Sequence, residues 1–374
     1  MRRQIFRGPD AEARALLGAA HTVHLASTTH AGEPVLRALH AATVDEHLVF
    51  HGAPVGEKVS CLGRRAVVSA ERVIASIPSW FLDPDRACPA TTYYVSAQAH
   101  GVIEEITSPD DKARALAALM RKYQPEGRHA PIDAASPLYG KAVRGLLVAR
   151  VALTEIDGKV KIGQNRSLAE RARILDALWS RGGDGDAEAI ETLTHLAPDI
   201  PEPAFAARAR EGWRAAPGTR LCVGLRPGEL DAAVDLLRGA YWLTGVADAD
   251  VADAITRSSA VVGARTPAGE LCAIARATSD GRTAWIYDVM VAPSARGAGV
   301  GAAIVRLLLD HPAVRRARVV RLGTRDADGL YRRFGFRDAS EVRSAATLEM
   351  ARLQATRTVG DAPGQNVKAL ATPA

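Results

Sequence analysis

Residues 285–301, Trp-Ile-Tyr-Asp-Val-Met-Val-Ala-Pro-Ser-Ala-Arg-Gly-Ala-Gly-Val-Gly, leave the backbone few choices. The apolar run 285–292 predicts a strand, which Pro293 and Ser294 end. A glycine-rich stretch from Arg296 to Gly301 follows, and the apolar run 302–309 predicts a helix. Glycines let such a loop turn tightly and approach a ligand closely. The first N–H groups of the helix have no internal partner and point at the loop, and the helix dipole adds about half a positive charge there. The loop therefore suits a pyrophosphate, and Arg296 adds a full charge.

Two patterns fit the loop. Gly297, Gly299 and Ala302 satisfy the dinucleotide spacing G-x-G-x-x-A, but too little chain follows for a doubly wound sheet. Arg296, Gly299 and Gly301 satisfy R-x-x-G-x-G. A strand is predicted at 317–322, and Leu330-Tyr331-Arg332-Arg333-Phe334-Gly335-Phe336 comes after it. Together these residues resemble the GNAT acetyltransferase superfamily over about 221–340.

The resemblance implies an α/β (α+β) fold with a mixed central sheet and acetyl-CoA as acetyl donor to an amine of a small molecule or protein. It implies that the main chain of Val289, Met290 and Val291 pairs with the pantetheine arm. Arg296, Gly297, Ala298, Gly299, Val300, Gly301 and Asp326 make up the expected acetyl-CoA set. Tyr331 is the expected proton donor to the departing thiolate, since a phenol with a reference pKa of about 10 is protonated at neutral pH. Asp288, on the motif strand, is either a base or a structural acceptor. Asp328 stands where close relatives carry histidine, and either it or Asp326 is a further candidate acid or base. Tyr241 and Trp242 either shape an acceptor pocket or fill the core.

The first half reads differently. Of the ten histidines, eight precede residue 130. Short strands are predicted at 21–28, 34–42, 48–51, 66–70, 93–106 and 146–156, with one clear helix at 110–123 capped by Ser108. Successive strands with one crossing helix favour a small closed barrel. Three stretches, His51–Lys58, Cys88–Tyr94 and Lys159–Ser167, resemble FMN-binding split-barrel proteins of the pyridoxamine-phosphate oxidase type, in the nitroimidazole-resistance-like branch. The resemblance covers about 3–205. It implies a mainly-β split barrel with flanking helices, and a homodimer.

In that family basic residues at the places of Arg37 and Lys58 hold the flavin phosphate. His51 ends a strand beside them, and Ser96 sits where relatives meet the ring edge. Gly56-Glu57-Lys58 replaces Ser-Arg-Lys, so one cation and one hydroxyl are missing. His21 and His24 are three apart on a strand and face opposite sides, so they cannot chelate one metal, and no metal site is expected. Haem held through a histidine is the alternative cofactor.

The expected division is a barrel domain at 1–205, a linker at 206–220, an acetyltransferase domain at 221–353 and a disordered tail at 354–374. With 47% hydrophobic and 24% charged residues the composition is that of a globular protein. No apolar run reaches membrane-span length, no signal peptide is evident, and the four scattered cysteines read as free thiols. A cytoplasmic protein is expected. The net charge of +6 comes with interspersed acids, which suits phosphate-bearing ligands, and neither nucleic acid nor a membrane is an expected partner. The leading expectation is a bifunctional enzyme, and a non-catalytic flavin and acyl-CoA sensor is the alternative.

Overall fold

A computed structural model describes residues 4–342. The expected domain end at 353 and the expected tail at 354–374 lie outside the described residues. The chain divides into two compact units, Met1–Gly323 and Thr324–Ala374.

The first unit begins with α1 (Asp10–Ala19), β1 (Val23–Thr28), β2 (Pro34–Leu39), β3 (Ala42–Val44), β4 (His47–Gly52), β5 (Arg65–Ile77), β6 (Thr91–Val102) and β7 (Glu104–Glu105). It continues with α2 (Pro109–Tyr123), α3 (Gly140–Gly145), β8 (Leu147–Ala152) and β9 (Glu155–Lys161). The strands form two antiparallel sheets, ordered β2-β1-β5-β6-β9 and β3-β4-β8-β7. Leu17 of α1, Leu25, Val68, Ala99 and Ile156 of the first sheet, and Leu48, Phe50 and Val151 of the second share one core. This is the predicted split-barrel architecture.

Several predicted strands have different bounds, and the one at 34–42 divides into β2 and β3, in different sheets. β5 runs on to Ile77 through Glu71 and Arg72, past a register shift at Val73/Ala75. Those charged residues fit a strand because Arg72 donates to Glu188 at 2.7 Å. The run predicted at 146–156 is two strands, because β8 pairs with β4 in one sheet and β9 with β6 in the other. The one predicted at 93–106 ends at Val102 and resumes as β7 in the second sheet.

A helical tail follows, α4 (Leu168–Arg181), α5 (Asp186–Leu196) and α6 (Ala204–Ala209). Ser167 and Glu170 close a reciprocal capping box at the start of α4. Gly185, at φ +78°, has no room for a side chain, since a Cβ would lie 1.7 Å from the Ile74 carbonyl oxygen of β5. The tail thereby packs on the barrel.

The rest of the unit is β10 (Arg220–Cys222), α7 (Leu230–Leu237), α8 (Asp248–Thr256), β11 (Ala260–Arg265), β12 (Leu271–Ser279), β13 (Thr283–Val291), α9 (Val300–Asp310), α10 (Pro312–Arg315) and β14 (Val319–Arg321). The sheet order is β10-β11-β12-β13-β14, antiparallel except for the parallel pair β13–β14. It is the predicted mixed sheet. Helix α9 buries Val300, Ala303, Ile304, Leu307 and Leu308, the period of an amphipathic helix lying on a sheet. A buried ion cluster ties the helical tail to this sheet: Arg265 donates to Glu191 at 2.8 Å and to Glu229 at 2.7 Å, and the Val223 N–H donates to Glu191 at 2.7 Å.

In the second unit the described residues hold two short helices, α11 (Asp328–Arg332) and α12 (Ala339–Val342). Among the described residues no helix is long and apolar enough to cross a membrane.

Candidate functional sites

The glycine loop forms as the spacing requires. A 3-10 turn at Pro293–Ala295 ends β13. Gly297 (φ +76°) and Gly299 (φ +82°) then take left-handed conformations, and α9 starts at Val300. L side chains avoid that region, so the turn depends on both glycines. Gly301 differs: a Cβ there makes only an ordinary contact with Val291, at 3.5 Å. Among the described residues, no N–H from Gly297 to Ala302 donates to another group. The loop thus presents a row of unmet donors at the positive end of an eleven-residue helix. Arg296 lies alongside, its Nε donating to the Val291 carbonyl at 3.0 Å.

The strand before the loop is bent open. β14 pairs only with Thr283, Ala284 and Trp285. Beyond them, the β14-side edge of β13 has no strand partner among the described residues, so the main chain of Val289, Met290 and Val291 keeps an open edge. On the β12 side the register shifts between Ile274 and Arg276. Asp288 sits there at φ +52°, a conformation costing about 1–3 kcal/mol for a residue with a side chain.

Two donors hold Asp288 in place. Trp242 Nε1 donates to Oδ1 at 2.9 Å, and Arg276 Nε donates to Oδ2 in a buried ion pair. Arg276 also stands 4.6 Å from the centre of the Tyr287 ring. Both oxygens of the candidate base therefore already accept hydrogen bonds. Trp242 meets Tyr241 edge to face at 4.9 Å. Arg276 escaped the sequence reading, and the signal for it was a lone arginine inside an apolar strand, which needs a buried counter-charge.

The barrel cluster is arranged differently. Arg37 lies opposite Leu25 on β2 and forms an ion pair with Glu57. Lys58 folds over Gly52, where a Cβ would be 2.6 Å from its ammonium nitrogen. His51, at the end of β4, has its proton affinity pushed below the usual histidine range. Loss of water around the ring is the main cause, followed by the charges of Lys58 and His40. Arg37 is thus joined to Glu57, while Lys58 lies over Gly52 and its charge is felt at His51.

Ser96 is not part of that cluster. Arg37, Leu25, Val68 and Ala99 occupy one register row, on the core face of the first sheet. Ser96 lies between Glu71 and Lys159 on the opposite face. There Lys159 donates to the Tyr94 hydroxyl and Lys161 to Thr91, each at 2.5 Å. The stretches Cys88–Tyr94 and Lys159–Ser167 meet at this end of the sheet, where Arg166 also donates to the Pro89 carbonyl at 3.1 Å.

Residues 9–160 match the family model for pyridoxamine 5'-phosphate oxidase, and residues 257–338 match that for the acetyltransferase (GNAT) domain. The two matches fall on separate parts of the chain. Solved structures give partial likenesses only. A putative 5-nitroimidazole antibiotic resistance protein from Bacteroides thetaiotaomicron is 20% identical over 41% of this chain and 86% of its own, with a TM-score of 0.34. The FAD and heme binding protein from Mycobacterium smegmatis is 22% identical over 41% of this chain and 72% of its own, at 0.35. A putative GNAT-family acetyltransferase from Xanthomonas campestris pv. campestris is 29% identical over 34% and 94%, at 0.30. No curated protein matches the chain.

In the GNAT domain, the glycine loop and β13 lie in the first unit, and the Leu-Tyr-x-x-Phe-Gly-Phe residues lie in the second. Tyr331 is 8% exposed, meets Phe336 edge to face at 5.9 Å, and accepts the Phe334 N–H at its carbonyl at 2.9 Å. Asp326 is exposed in the loop before α11. Asp328 pairs with Arg332 at 3.4 Å, one helical turn on. In the oxidase-like domain His21, His40 and Tyr123 form an aromatic group, with His40 and Tyr123 4.7 Å apart. Cys61, Cys222 and Cys272 are buried free thiols and Cys88 is an exposed one.

Proposed function

We propose that the GNAT domain is an acetyl-CoA-dependent N-acetyltransferase extending from about residue 221 through the described end of the chain. The observation that carries the proposal is the row of unmet amides at Gly297–Ala302 beside the open edge of β13. The CoA pyrophosphate sits on the amides, and the pantetheine arm adds to β13 along Val289, Met290 and Val291 as an extra strand would. A main-chain N–H there polarises the thioester carbonyl, a kind of contact worth about 3 kcal/mol in the transition state. The amine attacks that carbonyl, the C–S bond breaks, and the thiolate takes a proton from Tyr331, assigned that role by the family motif. Asp288 acts by position: held by Trp242 and Arg276, it fixes the bend that opens β13. By the family motif Asp326 belongs to the acetyl-CoA set, and Asp328 is a further candidate acid or base.

The oxidase-like domain is proposed to bind FMN. Its residues fit a phosphate through Lys58, and through Arg37 in exchange for Glu57, with His51 beside them. The flavin would supply hydride or electron transfer. Since Arg37 and Ser96 lie on opposite faces of one sheet, Ser96 is proposed to meet the ring bound by a second copy of the chain, in a homodimer. A cytoplasmic location and a small-molecule amine acceptor complete the proposal, with neither nucleic acid nor a membrane as partner. The Arg37–Glu57 pair favours one other reading, a sensor in which the barrel binds its cofactor weakly and regulates rather than reacts.

The test is thiol release from acetyl-CoA across a panel of amines. Turnover that falls about a hundredfold in Tyr331→Phe, with acetyl-CoA affinity kept, supports the proposal. Tight binding of acetyl-CoA with no acceptor-dependent thiol release favours the sensor.

A further inference from the structure

The connector between α6 and β10 lies in neither family match, yet it is built into the glycine loop. The Arg214 N–H donates to the Ala298 carbonyl at 2.8 Å. Gly299 has no room for a side chain because a Cβ would come 2.9 Å from the Gly212 carbonyl oxygen. Farther along α9, Arg306 donates to the carbonyls of Ala209 at 2.7 Å and Glu211 at 2.9 Å. Residues 209–214 are therefore a strap tied to α9 at two points, one of them the loop itself.

The strap also brings unmet donors. The Arg214 side chain is exposed, and its guanidinium has no partner among the described residues. The indole N–H of Trp213 is buried without an acceptor among the described residues, which costs free energy unless something else accepts it. Trp213 is fixed from outside by Arg210, whose guanidinium stands 4.9 Å from the indole ring and which pairs with Glu202 at 2.7 Å.

We infer that this strap is part of the nucleotide site: Arg214 binds a phosphate of CoA, and Trp213, packed under Arg210, holds the strap in place. The inference rests on the acetyl-CoA reading of the glycine loop. A side chain hydrogen-bonded to the loop through its own main chain is within reach of whatever the loop holds. An arginine with no carboxylate partner pairs well with a phosphate. The site is thereby completed by chain that the GNAT match leaves out, and its affinity depends on the helical tail that anchors the strap.

Calorimetric titration of the full chain with CoA, dephospho-CoA and acetyl-pantetheine tests this, using Arg214→Ala, Arg214→Glu and Trp213→Phe. Arg257→Ala, which removes an exposed arginine paired with Asp253 on α8, controls for the loss of one positive charge. Arg214→Ala is expected to weaken CoA about tenfold, and Arg214→Glu more. Trp213→Phe is expected to weaken CoA by a smaller factor, and acetyl-pantetheine binding should not change. A loss for CoA but not for dephospho-CoA assigns Arg214 to the 3'-phosphate, and an equal loss for both assigns it to the pyrophosphate. CoA binding by Arg214→Ala equal to that of Arg257→Ala overturns the inference while the transferase reading stands. Wild-type protein that does not bind CoA overturns both.

Discussion

The glycine loop of the GNAT domain and the charged cluster of the oxidase-like domain each present a candidate phosphate site, and they are built in opposite ways. The loop uses main-chain N–H groups, which no neighbouring carboxylate can reach without entering the site. The barrel cluster uses side chains, and one of its two cations is already joined to Glu57. Backbone donors fixed by left-handed glycines are in place before a ligand arrives. Side-chain cations must be released first, and the pair they leave sets the cost.

The largest expected effect separates holding from chemistry in the loop's own strand. Asp288→Ala strips a counter-charge from Arg276 and an acceptor from Trp242, and urea unfolding should register a loss of about 3–5 kcal/mol. Asp288→Asn keeps an acceptor for Trp242 and should lose less. Unchanged stability with collapsed turnover would instead make Asp288 a base.

A second effect lies away from both sites and shows how stability alone responds to pH. His311 is buried against Trp179, accepts the Ala313 N–H at 3.2 Å, and has its pKa pushed down to about 4, chiefly by burial and then by Arg315. The unfolded chain takes up this proton near 6.5, the folded chain only near 4. Stability is therefore lost as the pH falls through that window, by up to about 3 kcal/mol. His311→Asn should flatten that part of the curve, and an unaltered curve would move the titration elsewhere.

The two phosphate sites are then set against each other. Arg296→Glu should weaken acetyl-CoA about thirtyfold, roughly 2 kcal/mol, because it turns attraction at the amides into repulsion. Glu57→Ser should act the other way on the barrel, freeing Arg37 and tightening FMN about tenfold in a fluorescence-quenching titration. FMN affinity that does not respond to Glu57→Ser would break the contrast.

The same contrast explains what the sequence made legible. Gly297 and Gly299 announce themselves because few residues tolerate φ near +80°, and the strand and helix around them have unmistakable periods. The barrel was legible from its short strands, although β5 was read too short, since Glu71 and Arg72 look like a turn until Glu188 is placed beside them. Side-chain partnerships were the hidden part. Arg276 with Asp288, Glu57 with Arg37, and Arg214 at Ala298 join residues 12, 20 and 84 positions apart, and nothing local in the sequence pairs them. The resemblance places Ser96 at the flavin ring edge, and only the register across four strands shows that it faces away from Arg37.

The most direct measurement is calorimetric titration of the full chain with acetyl-CoA at low and at high salt. If the amides of Gly297–Ala302 hold the pyrophosphate, one site per chain should release heat, with an affinity that weakens as salt rises and survives Glu57→Ser unchanged. No heat and no thermal shift at millimolar acetyl-CoA would contradict the account.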